Sequence, residues 1–223
     1  MSPSPQRQSP PQQPTETETE TETEPKTETE TKANQNPTPP AILTLPKSNC
    51  TIQPYTPQDA PTSQQLANNP NIAQNMRDTF PSPYTLADAE TWIAIANANH
   101  PPRDFTIRMP DPDDGSTRFI GAIGLKPFTD VEARTMEIGY WLGEPYWGRS
   151  IMTEALIAFT RWAFENNPEL LRLEAGVFEP NEGSARVLAR AGYTYEGCRR
   201  NAVYKNGKVF GVKLFSFLRE ELS

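Results

Sequence analysis

The chain has 223 residues, of which 35% are hydrophobic and 24 are prolines, and its formal net charge is −7. This length suits one domain of ordinary size plus a tail. The acidic balance argues against a nucleic-acid partner, and no apolar run reaches the eighteen or so residues that a membrane-spanning helix needs.

The segment from Met1 to Lys47 holds ten prolines and seven Thr-Glu dipeptides, and its first forty residues contain only Met1 and Ala33 as apolar side chains. Such a segment cannot bury enough surface to offset the conformational entropy lost on ordering. Seven glutamates against four basic residues give it −3 of the net charge, which leaves −4 for the rest. We therefore predict a disordered tail over residues 1–47, most simply a solvated spacer, and a folded domain over residues 48–223.

The two cysteines, Cys50 and Cys198, are too few and too far apart in sequence for a disulfide framework or a metal site. We expect buried thiols in a reducing compartment and no bound metal. Because the N-terminus lacks the apolar core of a secretory signal, the predicted location is the cytoplasm, with the nucleus not excluded.

The first part of the domain is predicted to be a short strand followed by helices. The strand is Cys50 to Gln53, the first two helices run from about Pro57 to Ala67 and from Asn71 to Arg77, and a rigid aromatic loop spans Phe80 to Tyr84. Thr85 can then cap a third helix, with Asp88 three residues on. That helix is expected to bury Leu86, Ala89, Trp92, Ile93 and Ala96.

The second part is predicted to be mainly strands. The strands are Phe105 to Met109, Arg118 to Leu125, Arg134 to Leu142, Leu171 to Phe178, Tyr193 to Tyr204 and Val209 to Leu218, and the helices are Ile151 to Glu165 and Glu182 to Ala191, the latter capped by Asn181. Asn206-Gly207 between the last two strands is a two-residue hairpin signal. Helices flanking a mixed sheet of about seven strands give one α/β domain.

The connection before the long helix is a candidate anion site. It places Gly148, Arg149 and Ser150 at a helix N-terminus, where unpaired backbone N–H groups and the positive end of the helix dipole face outward. A phosphate could bind there, although a plain loop has the same spacing. From spacing alone both interpretations stay open.

Several motifs, taken in order, resemble the GNAT superfamily of N-acetyltransferases in its RimJ/RimL-like branch. They are Phe80 to Tyr84, Gly121 to Leu125, Glu137 to Leu142, Trp147 to Arg149, Asn181 to Ser184, and Ala191 to Tyr193 followed by Glu196-Gly197. The resemblance runs from about Thr51 to Leu218. It implies a mixed, mostly antiparallel sheet flanked by helices.

The resemblance also implies acetyl-CoA as the cofactor. In this family the pyrophosphate lies in the loop before the long helix, and the pantetheine runs between two parallel strands that splay apart, here Arg134 to Leu142 and Leu171 to Phe178. The residues implied in cofactor binding are Leu142, Trp147, Gly148, Arg149, Ser150, Ile151, Met152, Thr153, Asn181 and Ser184. Arg186 and Arg190 could meet the 3′-phosphate, although exposed helix arginines are common.

Two positions depart from the family pattern. Ser150 stands where the loop usually has glycine, so its Cβ could crowd the pyrophosphate or its hydroxyl could bond it. Gly211 stands where the last hairpin commonly has aspartate, and a glycine inside a strand predicts a sheet end weaker by ~0.5–1 kcal/mol.

For the chemistry, the resemblance points to Glu137 as the base that takes the ammonium proton, with an ordinary solvated strand residue as the competing interpretation. The oxyanion donor would be a backbone N–H near Leu142, where the family strand carries a bulge. Leu188 occupies the place where many relatives have an acidic tyrosine, so Tyr140 and Tyr193 are fallback candidates for the thiolate acid. His100, the only histidine, is expected to be a loop residue.

The predicted function is acetyl-CoA-dependent N-acetylation of a primary amine, either a small molecule or a protein N-terminus. The alternative is a non-catalytic acyl-CoA-binding or interaction protein of the same fold. The expected acceptor determinants are the helices before Phe80, the loop to Tyr84, and Lys126 to Val131. We expect a monomer or homodimer.

Overall fold

The fold is organised by one eight-stranded sheet with helices on both faces. The computed structural model describes residues 39–113 and 115–222. The strands are β1 Leu43–Leu45, β2 Cys50–Gln53, β3 Asp104–Pro110, β4 Thr117–Pro127, β5 Thr135–Leu142, β6 Arg172–Phe178, β7 Thr194–Lys205 and β8 Lys208–Leu218. The α-helices are α1 Ala60–Ala67, α2 Pro70–Ala73, α3 Leu86–Ala98, α4 Ile151–Asn166 and α5 Glu182–Arg190. Short 3-10 turns lie at Pro57–Asp59, Asp130–Glu132, Glu144–Tyr146 and Arg219–Glu221.

The strand order is β1-β2-β3-β4-β5-β6-β8-β7, and every neighbouring pair is antiparallel except β5 and β6. The parallel pair is joined by the long helix α4, as a crossover between parallel strands requires. The sheet is therefore mixed and mostly antiparallel, and the fold-class prediction is confirmed.

Two buried apolar clusters lie on opposite faces of the sheet. One packs α4 and α5 on the sheet through residues such as Phe159, Phe164 and Leu188. The other packs α1 and α3 on the opposite face, with Tyr55, Phe119 and partly buried Trp141. We call these the α4 face and the α3 face. Because side chains alternate along a strand, each strand contributes to both faces.

β1 was missed at the sequence level. It lies inside the segment that was predicted to be tail, yet it pairs with β2 from Leu43↔Ile52 to Leu45↔Cys50, and Leu45 is fully buried. Glu154 of α4 holds the connecting turn, since its carboxylate accepts hydrogen bonds from the backbone N–H groups of Lys47 and Ser48, each 2.8 Å long. The folded part thus begins before Ser48, and the rest of the predicted tail, residues 1–38, lies outside the described residues.

Three further local predictions need correction. α2 ends at Ala73 and does not reach Arg77. α3 buries Ala89, Ile93 and Ala96, whereas Leu86 and Trp92 remain 45% and 41% exposed, because the face of α3 that meets the sheet is narrower than its apolar composition suggests. Cys50 is buried as expected, but Cys198 on the edge strand β7 is exposed.

The surroundings of Gly211 also differ from the prediction. A Cβ at this position would lie 2.5 Å from Cys198 Sγ and 3.1 Å from the Arg199 carbonyl oxygen, so a side chain here would force the Cys198 sulfur and the β7 backbone to move. A carboxylate is nevertheless present, because Glu179 Oε2 accepts a 2.9 Å hydrogen bond from the Gly211 N–H. The close approach of β7 thus favours glycine here, and the expected weakness at this sheet end stays a prediction that stability measurements test.

We expect Gly211→Ala to lower the free energy of unfolding by about 1–3 kcal/mol, because the added Cβ overpacks this contact. Urea unfolding monitored by tryptophan fluorescence measures the change. In a Cys198→Ala background the same substitution should cost less, since the sulfur is gone. A Gly211→Ala variant that is as stable as the wild type, or more so, would support the original expectation.

None of the helices in the described ranges has the length and apolar character that a bilayer crossing needs.

Candidate active site

A cleft of about 1430 Å³ opens in the middle of the sheet, where β5 and β6 part. These strands pair only at Thr135↔Arg172, Met136↔Leu173 and Glu137↔Glu174, and beyond this point they diverge. The predicted splay of the two parallel strands is thereby confirmed. The cleft passes from the start of α4 to the α3 face, so a long ligand could cross the sheet there.

The divergence leaves backbone groups of β5 without a strand partner on one side. The N–H of Gly143 donates to the Ile120 carbonyl and that of Phe128 donates to the Thr135 carbonyl, so the odd-numbered residues of β5 bond to β4. By alternation the N–H groups of Ile138, Tyr140 and Leu142 point into the gap. The expected bulge near Leu142 is not seen, because the β4–β5 register runs unbroken from Gly121↔Leu142 to Pro127↔Met136.

The loop before α4 has the backbone shape of an anion site. Gly148 and Ser150 both have left-handed conformations, with φ of 74° and 60°, and α4 begins at the next residue. Consecutive N–H groups in such a turn converge, and the helix dipole adds partial positive charge. Ser150 therefore stands where glycine would be free of strain, and its side chain makes no cap hydrogen bond.

The other predicted loop residues fall into two groups. Trp147, Gly148 and Arg149 are exposed; the Trp147 Nε1–H donates to the Leu142 carbonyl at 2.8 Å, and the Arg149 guanidinium lies 5.8 Å from the centre of the Tyr146 ring. Ile151 and Met152 are buried and Thr153 is half-buried, so the first two can offer only backbone groups. All of the predicted loop residues border the cleft.

Glu137 lies at the point where the strands separate. Its side chain is 19% exposed and forms a 2.8 Å ion pair with Arg77, which follows α2 and is 65% exposed. The carboxylate is on the α3 face, because Glu137 and Trp141 are on the same side of β5. Sequence reasoning missed Arg77, since nothing local marks an ion pair between residues 60 positions apart.

Tyr140 lies on the other side of β5, facing α5. Its hydroxyl is 2.9 Å from Ser184 Oγ, and Asn181 Oδ1 accepts a 3.1 Å hydrogen bond from the Ser184 N–H. Burial raises the pKa of Tyr140 well above its ordinary value, with the Ser184 hydrogen bond opposing the shift in part. The three predicted residues Tyr140, Asn181 and Ser184 are thus brought together at one wall of the cleft.

The other residues considered from the sequence differ in whether they border the cleft. Tyr193 is buried and its hydroxyl is 2.7 Å from Thr160 Oγ1 on α4, so it does not reach the cleft and is wrong as a fallback acid. Leu188 is fully buried in the core. Arg186 and Arg190 border the cleft, whereas His100 is an exposed loop residue that does not border it.

The α3-face end of the cleft carries residues suited to an acceptor. Phe80, Tyr84 and Lys126 border it, as predicted, while Val131 is 92% exposed and does not. Phe80 packs against Tyr84 and Trp141 at ring-centre distances of 4.9 and 6.2 Å. Asp104 also borders this end and was not predicted. Within the described ranges no three His, Cys, Asp or Glu residues are grouped as a metal site would need.

Comparisons with known proteins agree with this geometry. The family model "Acetyltransferase (GNAT) domain" matches residues 49–194. "Probable N-acetyltransferase YjcK" of Bacillus subtilis is 41% identical over 90 residues, 40% of this chain and 49% of that protein. "Ribosomal-protein-serine acetyltransferase" of Escherichia coli is 33% identical over 96 residues, 42% of this chain and 53% of that protein. The chain thus matches about half the length of each of these two relatives.

A solved structure shares the fold. Mycobacterium smegmatis RimJ in complex with CoA-disulfide superposes with a TM-score of 0.67 and 24% identity, covering 79% of this chain and 85% of that one.

Proposed function

Because the chain belongs to the GNAT family of acetyltransferases, we propose that it transfers the acetyl group of acetyl-CoA to a primary amine. The observation that carries this proposal is that the left-handed loop before α4, the gap between β5 and β6, and Glu137 all border one cleft. The loop suits an anionic group, the gap suits an extended chain with amide groups, and the carboxylate suits a reacting amine.

In this proposal the cofactor crosses the sheet through the gap. The N–H groups of Gly148 to Thr153 hold the pyrophosphate, and the N–H groups that β5 directs into the gap bond the pantetheine amides. The RimJ structure carries a CoA-disulfide, which supports a CoA site in this fold. Acetyl-CoA supplies the activated acetyl thioester.

Glu137 is the proposed general base. It accepts a proton from the attacking amine, directly or through one water, as the new C–N bond forms. The Arg77 guanidinium now occupies the place beside the carboxylate that the substrate ammonium would take. Arg77 is largely exposed, so we expect the incoming amine to displace it.

The remaining roles fall to two residues of β5, Leu142 and Tyr140. The N–H of Leu142 stabilises the oxyanion that develops on the thioester carbonyl. Tyr140 stays protonated and donates a hydrogen bond to the leaving thiolate. Because burial raises the pKa of Tyr140, this residue acts only as a hydrogen-bond donor; the sulfur leaves as the thiolate, which a thiol forms near pH ~8.5, and is protonated by the buffer after release.

The proposed acceptor is the α-amino group of a protein. The E. coli relative is a ribosomal-protein-serine acetyltransferase, which supports this choice over an arbitrary small amine. The aromatic wall of Phe80, Tyr84 and Trp141 could pack against the first residues of a peptide.

Acetyl-CoA is expected to bind and to raise the melting temperature, because a ligand selective for the native state stabilises it by RT ln(1 + [L]/Kd), about 2.7 kcal/mol at a hundredfold excess over Kd. Calorimetric titration and thermal unfolding measure both. Adenosine, which lacks the phosphates, serves as the control and should act far less. No thermal shift at millimolar acetyl-CoA would overturn the cofactor assignment, and binding without thiol release over amines and peptides would favour the non-catalytic alternative.

A further inference from the structure

A glycine-floored trench crosses the α3 face of the sheet beside the cleft. The register places Asp104 of β3, Gly124 of β4 and Gly139 of β5 in one row. A Cβ at Gly139 would meet nothing within 4 Å, so the floor is open there, whereas a Cβ at Gly124 would collide with the Asp104 carboxylate. Glu137 lies two residues before Gly139 and on the same face. The trench therefore has a carboxylate at each end.

The Asp104 carboxylate is held in place by a hydrogen bond and not by an ion pair within 4.0 Å among the described residues. Asn99 Nδ2 donates to its Oδ2 at 3.2 Å, and the side chain is half-buried. Burial raises the pKa of Asp104 to about 6, although Asn99 and the neighbouring Arg103 both act to lower it.

Apolar side chains that share the cleft with Asp104 favour a bound ligand over water at this position. Trp92 and Ile95 of α3 border the same cleft, and they keep 41% and 51% of their surface exposed. A partly desolvated carboxylate without a paired cation costs free energy, and such groups concentrate at binding sites. The competing explanation is that Asp104 only anchors Asn99, the residue that ends α3.

We propose that Asp104 determines acceptor specificity by binding a second positive charge, so that preferred acceptors carry one amine beside Glu137 and a further ammonium or guanidinium beside Asp104. This inference rests on the proposed acetyl transfer. Two strand spacings of about 4.8 Å and two residues of about 3.4 Å put the two Cα atoms roughly 12 Å apart. An α,ω-diamine of that reach fits, as does a peptide N-terminus followed within two or three residues by Lys or Arg.

The test compares kcat/KM for matched acceptors. Octylamine is set against its α,ω-diamine, and a short peptide amide with Gln at its third position against the same peptide with Lys. The wild-type enzyme should prefer the dication by about tenfold, the contribution of one charge-assisted hydrogen bond. Asp104→Asn, which keeps the shape and the acceptor oxygen toward Asn99, should abolish that preference, so that kcat/KM for the dication falls to that for the monocation. If only the two alkylamines show the preference, the acceptor is a diamine; if only the two peptides show it, the acceptor is a peptide with a nearby Lys or Arg.

Asn99→Ala is the matched control, because it removes the hydrogen bond but keeps the charge. A merely structural Asp104 predicts that Asn99→Ala, which removes the hydrogen bond, lowers the rates for both acceptor classes alike, whereas Asp104→Asn, which keeps it, leaves the dication preference intact. This outcome would overturn the proposal. Equal kcat/KM for monocation and dication in the wild type would overturn it as well. If no amine at all is acetylated although acetyl-CoA binds, it is the proposed function that fails.

Discussion

Glu137→Gln is expected to lower kcat by about 10²–10⁴-fold near neutral pH and to leave acetyl-CoA affinity nearly unchanged. The amide has almost the same shape as the carboxylate but cannot take a proton from the attacking amine. The substitution also breaks the ion pair with Arg77, but that partner is 65% exposed, so the loss should stay below about 1 kcal/mol and the variant should fold. Steady-state kinetics together with calorimetric titration of acetyl-CoA measure the two effects.

Glu174→Gln provides a matched control for this experiment. Glu174 is the residue of β6 that pairs with Glu137, and it forms its own ion pair with Arg172 at 3.0 Å. Removal of that carboxylate should change kcat little. Wild-type turnover in Glu137→Gln would remove Glu137 as the base, and an equal loss of acetyl-CoA binding would identify its role as structural.

The parts of the fold that sequence predicted well depend on short-range chemistry. Asn206 and Gly207 have φ of 51° and 76°, as the primed hairpin turn between β7 and β8 requires, and Thr85 with Asp88 forms the expected capping box at α3. Both signals lie within four residues. β1, by contrast, is three residues long and gains its stability from pairing with β2 and from burial of Leu45, which no local pattern in a Pro-rich segment reveals.

The residues of the candidate site also divide into those predicted from the sequence and those that only the fold brings to the cleft. Resemblance to a family pointed to Glu137 and to the loop before α4, because those positions recur at fixed spacing. Arg77 and Asp104 reach the cleft through a loop and a neighbouring strand, so their proximity to Glu137 depends on the sheet order. Trp92 was assigned to the core, but the chain turns it toward Tyr55, whose hydroxyl accepts its Nε1–H at 3.3 Å. Periodicity alone could not choose between the core and the cleft for such a residue.

Ser150→Gly is expected to tighten acetyl-CoA binding by about tenfold, or ~1.4 kcal/mol. The left-handed φ of 60° costs a residue with a Cβ about 1–2 kcal/mol, and because the free protein already has it, its relief should raise the melting temperature without ligand. The tighter binding comes from removal of the Cβ, which in the complex would crowd the pyrophosphate and strain the loop further. Calorimetric titration and thermal unfolding separate the two contributions.

Two further substitutions at position 150 decide whether loop strain or a hydroxyl hydrogen bond to phosphate controls the affinity for acetyl-CoA. Ser150→Ala keeps the Cβ and removes the hydroxyl, so under the strain explanation it should bind acetyl-CoA like the wild type. If the hydroxyl instead donates to phosphate, it contributes ~1.5–3 kcal/mol, and both the Ala and the Gly variant should bind more weakly. Ser150→Val introduces a β-branched side chain, for which a left-handed conformation is a severe outlier, and it should weaken binding by roughly tenfold to a hundredfold by driving the loop out of shape. The helix-start N–H groups already supply donors for the pyrophosphate, which is why we expect the order Gly tighter than Ser, Ser equal to Ala, and Ala tighter than Val. An affinity that falls on Ser150→Gly would show that this chain uses the Ser150 hydroxyl as a phosphate ligand.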